Sequence, residues 1–447
     1  MKNLNTITLY EFLKWLVCEF EANDIQYVFM RNYLTLPHKL DSEDIDILVS
    51  KNDLIKIENI FWNNSKILIM DQVMRASVMN FFLYGIQVNS KQRSLQIDFN
   101  YNCPWKGFEY LSPHDVLERK VIFKSEGLSF CIPDAIDESI LSIFTHYIIS
   151  GEIRERYIEH AVINLTKHKS EATDRLSKHL GLNISKKVIE YINDYNTKGL
   201  LSIRKKVCFN IIINNFKRHF CLSVFKNLRH FYKEFTLMYF NRHLFTMTVL
   251  GPDGAGKSTV IDSMLQELKS VRKSIVLQHL KPVYFRKKII KNRGIVTTPH
   301  DKKNRGALSS FIKLVTWSLE CWVYHLFHKR KNSTIEIFDR HFDDILIDPL
   351  RYRCGINKLF VRFFSSIIPR PNLTLVLTAP VEVIQNRKQE VSFDETKRQI
   401  EEYEGYASNN KNAFLINTDR PVDEIVKEVL NITIESIHNN SRQVLNK

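Results

Sequence analysis

The clearest chemical pattern in the chain lies in the segment MTVLGPDGAGKSTVIDSML, which runs from Met247 to Leu265. The segment fits the spacing GxxxxGK[ST] through Gly251, Gly256, Lys257 and Ser258. Glycines at these positions let successive backbone N–H groups converge on an anion, together with the N-terminus of a following helix. An apolar, strand-like run precedes the pattern and a helix-periodic run follows it. This context predicts a phosphate-binding loop between a strand and a helix.

Such a loop implies a nucleotide, which we expect to be ATP with Mg²⁺. The Lys257 ammonium is expected to reach the β- and γ-phosphate oxygens, and the Ser258 hydroxyl to ligate the metal ion. The residues expected to contact the nucleotide are Gly251, Asp253, Gly254, Ala255, Gly256, Lys257, Ser258 and Thr259. The alternative interpretation is a glycine-rich turn that binds no ligand.

A second pattern, IEIFDRHFDD, begins at Ile335 and places an acid and a base directly after an apolar run. If the run is a strand, Asp339 and Arg340 stand at its carboxyl end, where ligands bind in parallel sheets. A carboxylate there can hold Mg²⁺ together with Ser258, and an arginine can bind a phosphate through two N–H groups. We therefore predict that Asp339 is a metal ligand and that Asp339, Arg340 and Lys257 are catalytic. A surface ion pair is the alternative.

The positive charge of the chain is concentrated in two segments. The 447 residues carry a formal net charge of +15, with 44% hydrophobic and 25% charged residues. Residues 201 to 243 contain nine Lys or Arg against Glu234, and residues 281 to 305 contain nine against Asp301. Localised charge of this kind favours particular anionic partners over general solubility. For residues 281–305, the alternative is a solvated disordered loop.

The cysteines and the apolar runs bear on the cellular compartment. Seven cysteines are scattered singly without a CxxC spacing, which favours reduced thiols and a cytoplasmic protein. The apolar pattern at the N-terminus is interrupted by charges, unlike a signal peptide. The longest apolar run, residues 311–327, contains Lys313 and Glu320, which is typical of a core helix. We expect a cytoplasmic location, with peripheral contact at the inner face of the membrane left open.

The order of apolar runs predicts an α/β protein of more than one domain. Residues 1–133 form a small α/β domain in this interpretation, 134–243 a helical, basic connector, 244–438 a domain of alternating strands and helices, and 439–447 a flexible tail. Strands that alternate with helices imply a parallel sheet with helices on both faces, in three layers. Ligands are then expected at the carboxyl ends of the strands.

The loop GPDGAGKST followed by a strand-borne DRH resembles the thymidylate kinase family of P-loop kinases. The resemblance covers about residues 244–435 and implies a P-loop fold that transfers the γ-phosphate of Mg-ATP to a phosphorylated acceptor. It also implies that Asp253 faces the acceptor's sugar and that Arg340 holds the acceptor's phosphate. The segment 386–407 is similar to the family's lid, with Arg387 as the lid arginine. The alternative is that the charges of this segment pair along a helix.

The chain departs from the family where the acceptor is recognised. The REPGG-like loop after the second strand is missing, and that strand runs instead into HLKPVYFRKKIIKNRG. A Ser/Gln-bearing stretch after DR is replaced by one that contains Asp343, Asp344, Asp348, Arg351, Tyr352 and Arg353. The acceptor is therefore open among a nucleotide, a phosphorylated sugar and a lipid-linked intermediate. Fused proteins of this kind resemble those of bacterial surface-polysaccharide pathways.

Three acidic residues nearer the N-terminus suggest a second metal site. SEDIDILV places Asp44 and Asp46 on one face of a strand, and SLQIDFNY offers Asp98 on a neighbouring strand. Carboxylates that converge from two strands can hold two Mg²⁺ ions for nucleotidyl transfer. With FMRNYLTLP upstream, this pattern resembles the nucleotidyltransferase superfamily related to polymerase β, although residues 31–33 replace its usual Gly-Ser turn. Two solvent-facing acids on an edge strand are the alternative.

The basic stretch 201–243 also carries apolar residues at helical spacing. They are Val207, Ile211, Phe216, Phe220, Val224 and Leu228. One interpretation is an interdomain bundle whose apolar side is buried. A second is an amphipathic surface that docks on anionic lipid. Nucleic acid is the least favoured partner, because no recognised binding module is present.

These patterns favour an ATP-dependent phosphotransferase, in which a thymidylate kinase-like domain is fused to a nucleotidyltransferase-like domain. The alternative enzyme is a two-metal nucleotidyltransferase that uses Asp44, Asp46 and Asp98, with the P-loop domain as a regulatory NTP sensor. A sugar or lipid-intermediate kinase of a surface-polysaccharide pathway is a further alternative. So is a peripheral membrane scaffold that uses ATP as a switch. The sequence does not determine the oligomeric state.

Overall fold

The computed structural model describes residues 6–89, 92–239, 244–268, 274–279, 306–327, 334–389 and 391–445. The chain divides into two compact units, Met1–Leu237 and Met238–Lys447, called unit 1 and unit 2 below. The basic segment 281–305 lies outside the described residues, so its expected role stays a prediction. None of the helices in the described ranges combines the length and the apolar character needed to cross a bilayer.

Unit 1 is built around a mixed five-stranded sheet. The strands of the unit are β1 (Ile7–Thr8), β2 (Tyr27–Phe29), β3 (Asp44–Val49), β4 (Leu68–Met74), β5 (Val78–Tyr84), β6 (Ile86–Gln87), β7 (Ser94–Asn100), β8 (Pro104–Trp105), β9 (Phe108–Glu109), β10 (Val121–Ser125) and β11 (Leu128–Ile132). The five-stranded sheet has the order β2-β3-β7-β5-β4. Within it β3 and β7 run parallel, whereas the other neighbours are antiparallel.

Helices pack on both faces of this sheet. The helices that begin in unit 1 are α1 (Leu9–Ala22), α2 (Leu54–Asn63), α3 (Pro113–Glu118), α4 (Ala135–Ile149), α5 (Glu155–Lys167), α6 (Lys169–Leu180), α7 (Leu182–Asn193), α8 (Thr197–Arg218) and α9 (Phe220–Tyr239). One core joins α1 and α2 to strand residues such as Ile47 and Phe99. A second core contains buried side chains from the five helices α4, α5, α6, α7 and α8. These side chains pack with Val28 of β2, Met30 and Leu48 of β3. Residues 134–218 therefore do not form a separate connector as predicted, because their apolar faces bury strand residues of unit 1.

Unit 2 contains a five-stranded sheet in which every neighbouring pair is parallel. Its strands are β12 (Phe245–Leu250), β13 (Ser274–His279), β14 (Thr334–Asp339), β15 (Leu373–Thr378) and β16 (Ala413–Asn417), in the order β13-β14-β12-β15-β16. Its helices are α10 (Lys257–Leu268), α11 (Ala307–Phe327), α12 (Asp344–Ile347), α13 (Lys358–Ile367), α14 (Val381–Arg387), α15 (Phe393–Asn409) and α16 (Val422–Leu445). The alternation of strands and helices is the one expected from the apolar runs.

The C-terminal helix continues further than expected. We predicted a flexible tail from residue 439, but α16 extends to Leu445. Its apolar periodicity persists in the buried residues Ile434 and Ile437, and Ser441 is also buried. The continued burial explains why the helix does not end at residue 438.

Candidate active site

The parallel sheet of unit 2 brings the two sequence patterns to one edge. Val249 near the end of β12 is the register partner of Asp339 at the end of β14. The backbone N–H of Arg340 donates to the carbonyl oxygen of Val249 at 3.1 Å. Because Gly251 follows β12 directly, the phosphate loop starts beside Asp339 and Arg340.

The loop has three glycines with positive φ, Gly251, Gly254 and Gly256. Gly251 has a φ of +145°, and a Cβ there would lie 2.3 Å from the carbonyl oxygen of Leu377. Gly256 has a φ of +81°, which is strained for residues with a side chain. The chain then enters α10 at Lys257. A curled loop that ends at a helix N-terminus is the geometry that binds phosphate groups.

Lys257 is folded back over this loop. Its Nζ donates to the carbonyl oxygens of Gly251 and Pro252, both at 2.7 Å, and lies 3.6 Å from the Asp253 carboxylate. Burial, and then the nearby Arg340, lower the pKa of Lys257 to about 8, although Asp253 opposes this shift. A phosphate oxygen that replaced the two carbonyl oxygens would compensate the buried charge more fully.

The lowered pKa of Lys257 predicts pH-dependent nucleotide binding. ATP phosphates bind the protonated ammonium, so affinity should fall by up to about tenfold per pH unit above about pH 8. Lys257→Arg keeps its charge throughout this range and is the matched variant. Fluorescence titration with a nucleotide analogue between about pH 7 and about pH 9.5 measures the effect. Equal pH slopes for the two proteins would contradict the expectation.

The Asp253 carboxylate is surrounded by three basic side chains of unit 2. The carboxylate accepts hydrogen bonds from the guanidinium groups of Arg340 and Arg351, in addition to the proximity of Lys257. Three cations therefore converge on one carboxylate of the phosphate loop. An anionic ligand that enters here meets this positive charge without the chain having to rearrange its strands.

The Arg340 side chain is buried and is held by a hydrogen bond to a buried carboxylate. Arg340 is 6% exposed and has a φ of +76°, a conformation that non-glycine residues seldom adopt. Its Nη1 donates to the fully buried carboxylate of Asp344 at 2.9 Å. That carboxylate also accepts from the hydroxyl groups of Tyr352, at 2.6 Å, and Tyr403. The residues that depart from the thymidylate kinase pattern thus orient Arg340.

The other two acids of this stretch also have hydrogen-bond donors within unit 2. Asp348 accepts from the backbone N–H of Arg351 at 3.1 Å and from Gln399 Nε2 at 3.2 Å. Burial would raise the pKa of Asp343, but the nearby His341, and then hydrogen bonds from the Ser365 and Tyr406 hydroxyl groups, lower it to about 2. Both carboxylates therefore stabilise the folded stretch after β14, and their ionised forms are compensated locally.

The donors expected to hold Mg²⁺ suit that ion chemically. Ser258 is exposed in the first turn of α10, and Asp339 ends the neighbouring strand β14. A hydroxyl and a carboxylate, completed by water and nucleotide phosphates, are the ligands that Mg²⁺ commonly takes. Both residues therefore fit the metal ion, and their assignment as ligands stays a prediction.

The segment expected to form a lid is largely part of the fold. In α15 the side chains of Ile400, Tyr403 and Ala407 are buried against the sheet and α14. Arg398 pairs with Glu395 at 2.6 Å, which agrees with the alternative of local helix pairing. The helix is anchored because its apolar side covers the sheet, which the charge-rich sequence does not reveal.

Arg387 and its neighbour Lys388 lie at the end of α14. The Arg387 guanidinium donates to the carbonyl oxygen of Thr418 at 3.0 Å and to its hydroxyl at 3.3 Å. The role of Arg387 as a lid arginine stays a prediction. A Cβ on Gly254 would lie 3.4 Å from the Cβ of Lys388, so Lys388 adjoins the phosphate loop. Sequence reasoning assigned no role to Lys388 or Arg351, because no local motif marks either residue.

The three acids of unit 1 occupy neighbouring parallel strands. Asp46 and Asp98 are register partners across β3 and β7, and Asp44 is the partner of Gln96. Arg31 Nε donates to Asp46 at 2.7 Å, and Asn80 and Gln96 donate to Asp98 at 2.7 and 2.8 Å. Among the side chains that the structure describes, no three or more His, Cys, Asp or Glu form a group that could hold a metal ion.

Residues 31–33, which replace the Gly-Ser turn, make contacts of their own. Arg31 Nη1 lies 3.1 Å from His146 Nε2 on α4, and Asn32 Oδ1 accepts from the Tyr157 hydroxyl at 3.1 Å. Burial, and then Arg31, lower the pKa of His146 to about 4, so the imidazole is neutral near neutral pH. A metal ion that bound Asp46 would have to displace the Arg31 guanidinium, and the assignment of Asp44, Asp46 and Asp98 as metal ligands stays a prediction.

The environment of Asp98 predicts a stability effect. Burial, and then Asp46, raise the pKa of Asp98 to about 6. The folded state therefore binds this proton more tightly than the unfolded state, and stability is lost as pH rises through about 4 to 6. Asp98→Asn should stabilise the protein by about 1–2 kcal/mol at pH 8 and by almost nothing near pH 4. Urea unfolding at both pH values measures this, and a loss of stability at pH 8 would contradict it.

Sequence comparison identifies a curated relative of this chain. The chain is 26% identical to a probable thymidylate kinase of Sulfolobus acidocaldarius over 202 residues, which are 42% of this chain and 96% of the relative. No family model matches the chain. The matched share of the chain is close in size to residues 244–435, the range over which the family resemblance was predicted. The similarity of unit 1 to nucleotidyltransferases stays a prediction.

Two solved structures are also similar to the chain. Thymidylate kinase from Candida albicans is 15% identical and aligns with 43% of this chain and 93% of its own, with a TM-score of 0.31. Thymidylate kinase from Ehrlichia chaffeensis is 17% identical and aligns with 42% of this chain and 98% of its own, with a TM-score of 0.29. TM-scores this low support no inference about the fold or the activity of this chain.

Proposed function

We propose that the chain is an ATP-dependent phosphotransferase of the nucleoside monophosphate kinase type, with its donor site at the phosphate loop of unit 2. The observation that carries the proposal is the buried Lys257 inside a glycine-dependent loop, next to Arg340 on the adjoining strand end. Similarity to a probable thymidylate kinase supports this reaction class. A donor site and a second cationic group at one sheet edge are what phosphoryl transfer between two bound phosphates requires.

The reaction follows from charge and position. The loop N–H groups and the N-terminus of α10 bind the donor phosphates, and Lys257 moves from its two carbonyl partners to the γ-phosphate oxygens. Arg340 and Arg351 hold the acceptor phosphate in line with the donor, sharing their charge with Asp253. A Mg²⁺ ion held by Ser258 and Asp339 supplies further charge neutralisation when bound. No covalent intermediate on the protein is required.

The acceptor is best identified by a screen. We expect ADP release from Mg-ATP to depend on one phosphorylated acceptor among dTMP, other nucleoside monophosphates, phosphosugars and lipid-linked phosphates. The release should be lost in Lys257→Ala and kept in Lys427→Ala, which alters an exposed lysine on α16. If no acceptor stimulates ADP release although ATP binds, the proposal fails.

A second candidate function rests on the pairing of Asp46 with Asp98 on parallel strands. Nucleotidyl transfer at this site would release pyrophosphate and depend on both carboxylates. Arg31 would first have to leave Asp46, since its Nε lies 2.7 Å from that carboxylate. Pyrophosphate release that is abolished by Asp46→Asn and retained in Lys257→Ala would favour this candidate over the kinase.

A further inference from the structure

Helix α9 presents a row of large apolar side chains to solvent. Six of them are between 52% and 68% exposed, namely Phe220, Phe225, Leu228, Phe231, Tyr232 and Phe235. At about 100° per residue these six positions fall within an arc of about 140° on one side of the helix. They are called the apolar face of α9 below. A face of this size is unusual on a helix that borders water.

The opposite side of α9 is polar and faces the body of unit 1. Ser223 Oγ donates to the carbonyl oxygen of Asn215 at 2.9 Å, and Lys226 Nζ donates to Glu109 at 2.6 Å. Asn227 Nδ2 donates to the carbonyl oxygen of Lys106 at 2.7 Å. Helix α9 therefore packs on unit 1 through its polar side. An ordinary surface helix packs through its apolar side and exposes its polar side.

Close backbone packing fixes this orientation. A Cβ on Gly107 would lie 2.7 Å from the carbonyl oxygen of Lys226 and 2.9 Å from the Cα of Asn227. Gly107 also has a φ of +89°, so glycine is needed there for two reasons. Further along, Glu234 lies 3.5 Å from Arg75. Rotation of α9 to bury its apolar face would break all of these contacts.

The charges near the apolar face are predominantly basic. Arg229 and Lys233 lie on α9 at one border of the face. A second copy of the same face would bring like charges together, which disfavours self-association. An anionic lipid surface instead complements both the apolar side chains and the basic border.

We propose that the apolar face of α9 docks on an anionic lipid bilayer. Its six side chains would enter the boundary between headgroups and acyl chains, and the neighbouring basic residues would lie against lipid phosphates. The docking surface belongs to unit 1, whereas the phosphate loop belongs to unit 2. It therefore adds a location for the protein to the proposed reaction and does not depend on that reaction.

Vesicle flotation of the full chain tests the proposal. We expect binding to phosphatidylglycerol-containing vesicles at low salt, weaker binding at high salt, and little binding to pure phosphatidylcholine. The double substitution Phe225→Glu and Phe231→Glu should lower binding by at least about tenfold. The matched control is Ile55→Glu with Ile163→Glu, at residues that are 71% and 61% exposed elsewhere on unit 1. Circular dichroism of both variants checks that unit 1 stays folded.

Two exposed cysteines allow a second, local measurement. Cys221 lies within the arc of the apolar face, and Cys18 lies on α1. An environment-sensitive fluorophore on Cys221, in a Cys18→Ser background, should shift to the blue on anionic vesicles. The same label on Cys18, in a Cys221→Ser background, should not shift.

Three results would overturn the proposal. The first is the absence of binding to anionic vesicles at low salt. The second is binding that the glutamate substitutions leave unchanged. The third is a Cys221 thiol that is protected without vesicles, since the apolar face would then be covered by protein. Sedimentation at several protein concentrations would then show whether a second copy covers the face, since dimerisation depends on concentration and coverage by the same chain does not.

Discussion

Replacement of Lys257 by alanine is expected to lower phosphoryl transfer by about 10³-fold while the protein stays folded. The ammonium is the one group of the loop that carries a full positive charge toward the transferring phosphate. Its loss costs little stability, because its partners are two carbonyl oxygens and a carboxylate that keeps two arginines. Steady-state kinetics with the identified acceptor and urea unfolding measure the two effects.

Two further variants separate charge from shape in this experiment. Lys257→Arg keeps the charge but not the geometry, and should recover part of the nucleotide binding with little transfer. Lys427→Ala should behave as the unaltered protein. Transfer within about tenfold of the unaltered rate in Lys257→Ala would exclude the loop as the donor site.

Arg340→Ala is expected to destabilise the protein by about 3–5 kcal/mol and to abolish transfer. Its removal leaves the carboxylate of Asp344, which is fully buried, without the compensating guanidinium. The strained backbone at Arg340 would also lose the contacts that maintain it. Thermal or urea unfolding of unit 2, followed within the full chain, measures the loss of stability.

A double variant separates the structural role of Arg340 from its role toward the acceptor. Arg340→Met with Asp344→Asn removes both charges and keeps an acceptor oxygen for one of the hydroxyl groups of Tyr352 and Tyr403, while the amide NH₂ can donate to the other hydroxyl oxygen. We expect most of the stability to return and the activity to stay absent. An active double variant would show that Arg340 does not bind the acceptor, and a stable single variant would contradict the buried ion pair.

The sequence predicted those parts of the site that depend on local spacing. Gly251, Gly256 and Lys257 are close in the chain, and their types follow from backbone conformation and phosphate chemistry. The position of Arg340 followed from an apolar run that had to end at a sheet edge. The contact between Asp344 and Tyr403 could not be predicted, because it joins residues from α12 and α15 that only the folded chain brings together.

Helix α9 shows a second limit of sequence reasoning. The same three- and four-residue spacing produces buried residues in α8, such as Val207 and Ile211, and exposed ones in α9, such as Phe220 and Leu228. Periodicity identifies an apolar face but not the direction in which it points. That direction depends on the close approach of α9 to Gly107 and on polar contacts from distant parts of unit 1.

The most direct test of the proposed reaction uses ATP labelled separately on the α- and γ-phosphates, with the acceptor from the screen. We predict that the γ-label moves to the acceptor, that the α-label stays in ADP, and that transfer is lost in Lys257→Ala but kept in Asp46→Asn. Movement of the α-label to the acceptor with release of pyrophosphate, lost in Asp46→Asn, would contradict the kinase and assign the chemistry to unit 1.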